Sequence, residues 1–413
     1  MLRRQAVALV VVAFAVLFPL FVAQAQNNIV SSIPPDAKVG FGSRFSDSIN
    51  VVCLSISRQL LAKPLLDLCN TADAAGALGG TNTSVGGSIG SIESRVGGLD
   101  PARTLVISRL QERTGTGTAA SADMRSALRG FSFFVNGTYE AFDKHDTSFE
   151  PAYDRLTWGT NVGGDYSFEG KGLVGLAFNY SHANAYFDVG GGGFETDTYG
   201  VLLYGGVLPA KNAFVDAYAG YNYKDISTDR RINVLVGGTV PVTGQALGTT
   251  NGSEVKLGVN AGYDWVIQNF TVGPRLGVNY RDTGIDAFTE RGGTGLEVRY
   301  THTSEMSVTT VAGLFASMAF SAGFGVIVPQ LNFEYVHEFS LDQKFRQFSF
   351  VGDTTGARFN FVNDPPDRDY FNLGAGVVFV LPQGIQPFVN YRELLGYNDR
   401  SAHTVTAGVR FSF

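Results

Sequence analysis

The sequence predicts an all-β protein: a twelve-stranded antiparallel transmembrane β-barrel with a short helical N-terminal segment and a helix in the barrel lumen. Three observations carry that expectation. The chain of 413 residues holds 51 Gly, 32 Phe and 17 Tyr but only 16% charged residues, against roughly a quarter in average usage. That composition fits aromatic strands and tight turns better than a soluble helical enzyme. Past Gly130, apolar residues alternate with polar or small ones in runs of about 12 residues and more, where an average strand has roughly 5–6. The connections between those runs also sort into long and short by parity. The net charge of −6 gives no basic footprint, which argues against nucleic acid as a partner.

Residues 1–25 read as a signal peptide. Arg3 and Arg4 precede an apolar run from Ala6 to Ala23, and Ala23-Gln24-Ala25 supplies the small-x-small cleavage pattern. The run is almost long enough to span a bilayer, so an uncleaved anchor is the competing reading, with Pro19 and the cleavage pattern weighing against it. Export into an oxidising compartment makes Cys53 and Cys69 a candidate disulfide. They lie in residues 26–70, where Phe45, Ile49, Val52, Ile56 and Leu60 follow helical spacing until Pro64, a short hairpin that the two cysteines would close. Residues 71–99 are rich in Gly and Ser with almost no large side chain, a flexible linker.

Residues 100–130 form a helical segment. Asp100-Pro101 makes an N-cap and first-turn Pro, and Leu105, Val106 and Leu110 follow at helical spacing. The segment is dense in basic groups, with Arg103, Arg109, Arg113, Arg125 and Arg129. Barrels of about eight strands are filled by their own side chains and those of sixteen or more leave a channel, so a twelve-stranded lumen has space for about one helix. The arginines would meet inward acids such as Glu140, Asp165, Glu334 and Glu338; the alternative is a solvated periplasmic helix.

From 131 to 413 the period is two. Phe270, Val272, Pro274, Leu276, Val278 and Tyr280 alternate with Thr271, Gly273, Arg275, Gly277, Asn279 and Arg281, and Val405, Ala407, Val409, Phe411 and Phe413 share one face of the last run. Twelve strands are expected at 131–142, 155–168, 171–186, 194–209, 211–226, 254–267, 269–283, 304–321, 323–339, 368–381, 384–395 and 402–413. The connections after even strands are short, around Gly170, Ala210, Gln268, Ala322 and Gln383. The long ones, 227–253, 284–303 and 340–367, follow odd strands. Membrane barrels have short periplasmic turns and longer outer loops, which puts both ends of the barrel sequence in the periplasm. Trp158, Tyr166, Phe168, Tyr221, Trp265 and Tyr335 fall on the outward register near strand ends, as girdles at the membrane interfaces do. The opposite register gives a polar lumen of both signs, with Asp165, Lys256, Asp264, Arg275, Arg281, Glu334, Arg392 and Arg410.

The last 280 or so residues resemble the autotransporter β-domain, the twelve-stranded translocator of type V secretion. The resemblance rests on Trp158-Gly159 to Phe168 with Leu173 to Ser181, on Val272 to Leu276 with Tyr280, on Phe388 to Arg392, and on the terminal Ala407 to Phe413. It implies a monomer in the outer membrane of a Gram-negative envelope that translocates or displays its N-terminal segment at the cell surface. Its partners would be outer-membrane lipid, the Sec translocon, periplasmic chaperones and the outer-membrane assembly machinery. The closing aromatics Phe411 and Phe413 look like the signal which that machinery reads. The alternative is a solo barrel that acts as a narrow pore or as a surface adhesin through its outer loops.

No enzymatic chemistry is readable. Gly86-Gly87-Ser88-Ile89-Gly90 fits G-x-S-x-G but sits in the linker with no strand before it. Phe41 to Asn50 looks like a degraded first block of the GDSL-type autotransporter esterases, with Arg44 where the nucleophilic Ser belongs. His145, His182, His302, His337 and His403 lie far apart, so no metal site and no cofactor are expected.

Overall fold

Period-two alternation puts successive side chains on opposite faces of a strand, and here the two faces are sorted in the reverse of a soluble protein. The computed structural model describes residues 84–85 and 130–413, apart from 148, 169–170, 189–190, 211, 237–239 and 342–344. Along Phe131–Lys144, Phe131, Phe133, Val135 and Tyr139 are 37–51% exposed, whereas Ser132, Asn136, Thr138 and Glu140 are buried. A sheet that hides its polar residues and displays its apolar ones is stable only with lipid outside.

The strands in chain order are β1 (Ser84–Val85), β2 (Phe131–Lys144), β3 (Tyr153–Phe168), β4 (Gly172–Phe187), β5 (Gly192–Ala210), β6 (Ala213–Val236) and β7 (Val240–Tyr263). Then come β8 (Trp265–Ile267), β9 (Phe270–Ile285), β10 (Phe288–Thr289), β11 (Val298–Tyr300), β12 (Thr303–Met318) and β13 (Phe320–Ala322). The last are β14 (Gly325–Glu338), β15 (Phe345–Phe350), β16 (Phe359–Val362), β17 (Asp369–Val380), β18 (Ile385–Leu395) and β19 (Arg400–Ser412). Twelve of the described strands, β2 to β7, β9, β12, β14 and β17 to β19, pair antiparallel in chain order, and β19 pairs back onto β2. That last pairing closes the barrel and leaves no open edge in lipid. At the seam Phe411 stands opposite Phe133, and the Gly130 and Phe413 N–H groups donate to the Phe413 and Phe131 carbonyls at 3.0 Å each.

All twelve expected barrel strands occur, with ends moved by a few residues, except in two places. The connection expected over 227–253 is a hairpin: β6 and β7 stay in register to Val236 opposite Val240. Once past the bilayer a strand needs no apolar outward face, so this part carries no lipid-facing pattern. The connections at 284–303 and 340–367 contain β10, β11, β15 and β16, which form a second, four-stranded sheet. Strands of 2–6 residues are too short to display a period. Residues 1–25, the hairpin of 26–70 with Cys53 and Cys69, and the helical segment up to 129 lie outside the described residues. Within the expected linker, Ser84 and Val85 form β1, paired with Asn233 and Ile232 of β6.

Inside the barrel, rings lie flat over glycines of the neighbouring strand. A Cβ on Gly175 would stand 2.3 Å from the Tyr204 ring, and one on Gly258 would stand 2.3 Å from that of Tyr218. Only Gly leaves room for so close an approach. Toward the end with long connections, the inward residues change from polar to apolar. Each of the twelve strands adds at least one side chain there, from Phe142 of β2 to Ala402 of β19, and the four-stranded sheet packs its own apolar face onto this collar.

Candidate functional site

The barrel interior is built from charges that the strand period turns inward, where each needs a partner because an isolated buried charge is costly. Asp264 accepts a hydrogen bond from Arg275, whose guanidinium lies 4.7 Å from the Phe214 ring and 5.0 Å from that of Phe315. Asp165 faces Arg410 at 3.9 Å, and Glu334 faces Arg392 at 3.7 Å. Lys256 lies 3.1 Å from Glu254, with Arg281 opposite it across the β7–β9 pair. The structure thus places all eight lumen residues expected from the sequence on the inner face, in charge clusters spread along the wall.

Glu254 is the group that the sequence reading passed over, and it is the most heavily used. It takes Lys224 at 3.1 Å as well as Lys256, the Asn222 amide at 2.8 Å and the Thr283 hydroxyl at 3.1 Å. The signal was present: Glu254 shares the register of Lys256, at the start of an expected strand. Glu140 pairs with Arg155 at 3.0 Å, and Glu338 accepts from the Ser307 hydroxyl.

At the long-connection end, two ionic knots tie loops to the rim. Arg230 of the projecting β6 grips Glu290 with two hydrogen bonds of 2.9 and 2.5 Å and donates to the Leu296 carbonyl at 2.8 Å. Glu290 also accepts the Val298 N–H at 2.9 Å, so one bidentate pair fixes the β10–β11 hairpin. Lys144, at the last position of β2, pairs with Asp364 at 2.6 Å and Asp399 at 2.7 Å, with Glu150 at 3.9 Å. The connections after β2, β16 and β18 meet there. Burial pushes the Glu150 carboxyl up to about 7 against the pull of Lys144 and Arg400.

The outer wall presents aromatic side chains at both ends of the strands. Tyr180 and His182 both bond to Asp197, at 2.7 and 2.9 Å, and Tyr335 and His337 both bond to Asp369, at 2.5 and 2.7 Å. Such amphipathic rings suit the level where hydrocarbon meets headgroups. Among the described residues no group of three or more His, Cys, Asp or Glu is placed to hold a metal ion.

A family profile described as autotransporter beta-domain matches residues 133–392. The chain belongs to that family. The autotransporter barrel is similar in fold to the translocator domain of the autotransporter NalP from Neisseria meningitidis, with a TM-score of 0.55 and 15% identity over 75% of this chain and 98% of that one. It is likewise similar to the beta domain of the Bordetella autotransporter BrkA, at a TM-score of 0.50 and 18% identity over 69% of this chain and 100% of that one. No curated protein matches the sequence. Membership places the autotransporter barrel in the Gram-negative outer membrane. Phe411 and Phe413 stand at the end of β19 beside β2, Phe413 edge-on to Phe133 with ring centres 6.1 Å apart.

Proposed function

We propose that the autotransporter barrel translocates its short N-terminal segment and displays it at the cell surface. The observation that carries this reading is β1. Ser84 and Val85 pair with β6 at Asn233 and Ile232, whereas Gly130 bonds to the Phe413 carbonyl at the opposite end of the barrel. Asp216 of β6 lies opposite Gly206, near that opposite end, and Ile232 is 16 residues farther along the same strand. At roughly 3.3 Å per residue and a tilt of 35–45°, this is about 40 Å along the barrel axis, more than a hydrocarbon core of roughly 30 Å.

Val85 and Gly130 therefore lie on opposite sides of the membrane level. The chemistry of the barrel wall favours a passage through the lumen. The outer wall is apolar, and five arginines between 100 and 129 would be costly against lipid. The lumen offers acids of the kind that arginines need. The test is surface protease on intact cells: cleavage within residues 26–98 is expected, and protection of that whole stretch overturns the proposal. The second reading, an adhesin that works through its outer connections, draws support from the four-stranded sheet, since a folded outer surface is what recognition requires.

A further inference from the structure

The four-stranded sheet of β10, β11, β15 and β16 has two unlike faces. Phe288, Val298, Tyr300, Phe348 and Phe350 are buried toward the collar. On the other face stand Thr289, Arg299, Gln347, Ser349 and Asn360, with Thr289 opposite Arg299, Arg299 opposite Ser349, and Gln347 opposite Asn360. Arg291 lies two residues after Thr289 and is exposed, and Arg358, also exposed, donates to the Gln347 amide oxygen at 3.0 Å.

The buried acids of this sheet and its turns are committed elsewhere. Glu290, Glu297 and Asp353 are buried, at 3, 9 and 6% exposure. Glu290 holds Arg230, Glu297 accepts the Thr294 and Gly295 N–H groups, and Asp353 accepts those of Thr355 and Ala357. Asp286, at the root of the hairpin, is exposed and faces His302 at 3.7 Å. The ion pairs among the described residues include neither Arg291, Arg299 nor Arg358. Among the described residues, Glu290, Glu297 and Asp353 are thus buried away from this face, which shows three exposed guanidinium groups that no carboxylate holds.

We propose that this face docks an acidic polysaccharide, whose sulfates or carboxylates meet Arg291, Arg299 and Arg358 while its hydroxyls bond to Gln347, Ser349 and Asn360. Arginine suits such oxyanions because its planar fork gives two parallel hydrogen bonds. A flat strand face with polar side chains between the charges fits a chain that alternates acids and hydroxyls. The inference rests on the outward orientation of the long connections and not on passage of the N-terminal segment.

The experiment uses the full chain refolded in detergent, with immobilised heparin as the probe and neutral dextran as its uncharged control. Retention on heparin that falls with added salt is expected, with none on dextran. Replacing Arg291, Arg299 and Arg358 together by Ser should weaken binding about tenfold or more, from three exposed charge contacts. Heat-modifiable gel mobility confirms that the variant is folded, and Arg299→Lys should keep only part of the affinity, because a point charge does not replace the fork. Unchanged affinity in the triple variant overturns the proposal, as does an equal loss in a control with Lys171 and Arg231 replaced by Ser. Duplex DNA bound as tightly as heparin overturns the choice of polysaccharide. Surface protease sensitivity of residues 26–98 should be the same in the triple variant and the wild type, so failure here and failure of translocation are read separately.

Discussion

Lys144 and Arg400, two cations, stand directly opposite each other across the seam where the last strand of the barrel meets the first. Like charges in that position repel, so the knot around them decides how firmly the outer end of the seam holds. Asp364 and Asp399 on Lys144, and Asp399 on Arg400 at 3.4 Å, supply two negative charges against two positive ones. Glu150 is the fifth member, and the cluster is neutral when Glu150 carries its proton.

Glu150 therefore gives the outer rim a pH dependence of predictable sign. Burial raises its carboxyl from 4.5 to about 7 in the folded chain. The folded state then binds the proton more tightly than the unfolded state. The stabilisation is complete below the unfolded value of 4.5 and is lost as pH rises through about 7. Glu150→Gln should remove this dependence and stabilise the protein at pH 8 by roughly 1–3 kcal/mol. Urea unfolding of the barrel in vesicles from pH 5 to 8 measures it; a wild-type midpoint that rises with pH over that window would contradict the assignment.

The Arg230–Glu290 pair predicts a different failure. Glu290→Ala leaves a buried guanidinium without its carboxylate, a loss of about 3–5 kcal/mol borne by the four-stranded sheet, the cap on the collar, and not by the barrel ladder. The β10–β11 hairpin should become sensitive to protease between 286 and 302 while the barrel remains heat-modifiable, and single-channel conductance should rise as the cap lifts off the collar. A hairpin that stays resistant would show that the apolar contacts of Phe288, Val298 and Tyr300 hold it without the pair.

The barrel was readable from the sequence because lipid imposes its period on every strand. Phe270 to Arg281 alternates over its whole length, and the structure keeps that register against β12 from Phe270 opposite Met318 to Ile285 opposite Thr303. The charges of the lumen were readable for the same reason, since Arg275 and Asp264 sit on the face opposite Leu276 and Tyr263. The cap was not. Its strands sit in water beyond the membrane, are short, and join two connections through β11 and β15, whose paired residues lie 48–52 apart in sequence, as Arg299 and Ser349 do at 50. The Lys144 knot joins side chains from three connections, and no spacing along one strand announces it.

The rings over glycines make a test of the inner wall. Gly258→Val would put its Cβ 2.3 Å from the Tyr218 ring, whose hydroxyl also donates to Asn279 at 3.0 Å, so the ring cannot swing away without losing that bond. A cost of about 1–3 kcal/mol is expected, read as a lower heat-modifiable folded fraction. Gly323→Ala, which meets nothing within 4 Å, should change stability by less than about 0.5 kcal/mol. Equal folding of the two variants would mean that the Tyr218 ring does not lie where it is placed.

The end of the chain separates a structural role from a recognition role. Phe413 holds the short-connection end of the seam twice: its backbone exchanges two hydrogen bonds with Gly130 and Phe131 at 3.0 Å, and its ring meets Phe133 edge-on. Deleting it removes both, whereas Phe413→Ser keeps the backbone pair and loses only the ring. Two hydrogen bonds at about 0.5–1.5 kcal/mol each put the deletion roughly 1–3 kcal/mol below the substitution. Refolding from urea into lipid vesicles involves no assembly machinery, so there Phe413→Ser should fold nearly as well as the wild type and the deletion should lag. In cells, a receptor that reads the aromatic ring would reject both equally. Heat-modifiable yield in the two settings gives four numbers; if the deletion and the substitution behave alike in vesicles, the seam register at Phe413 is wrong.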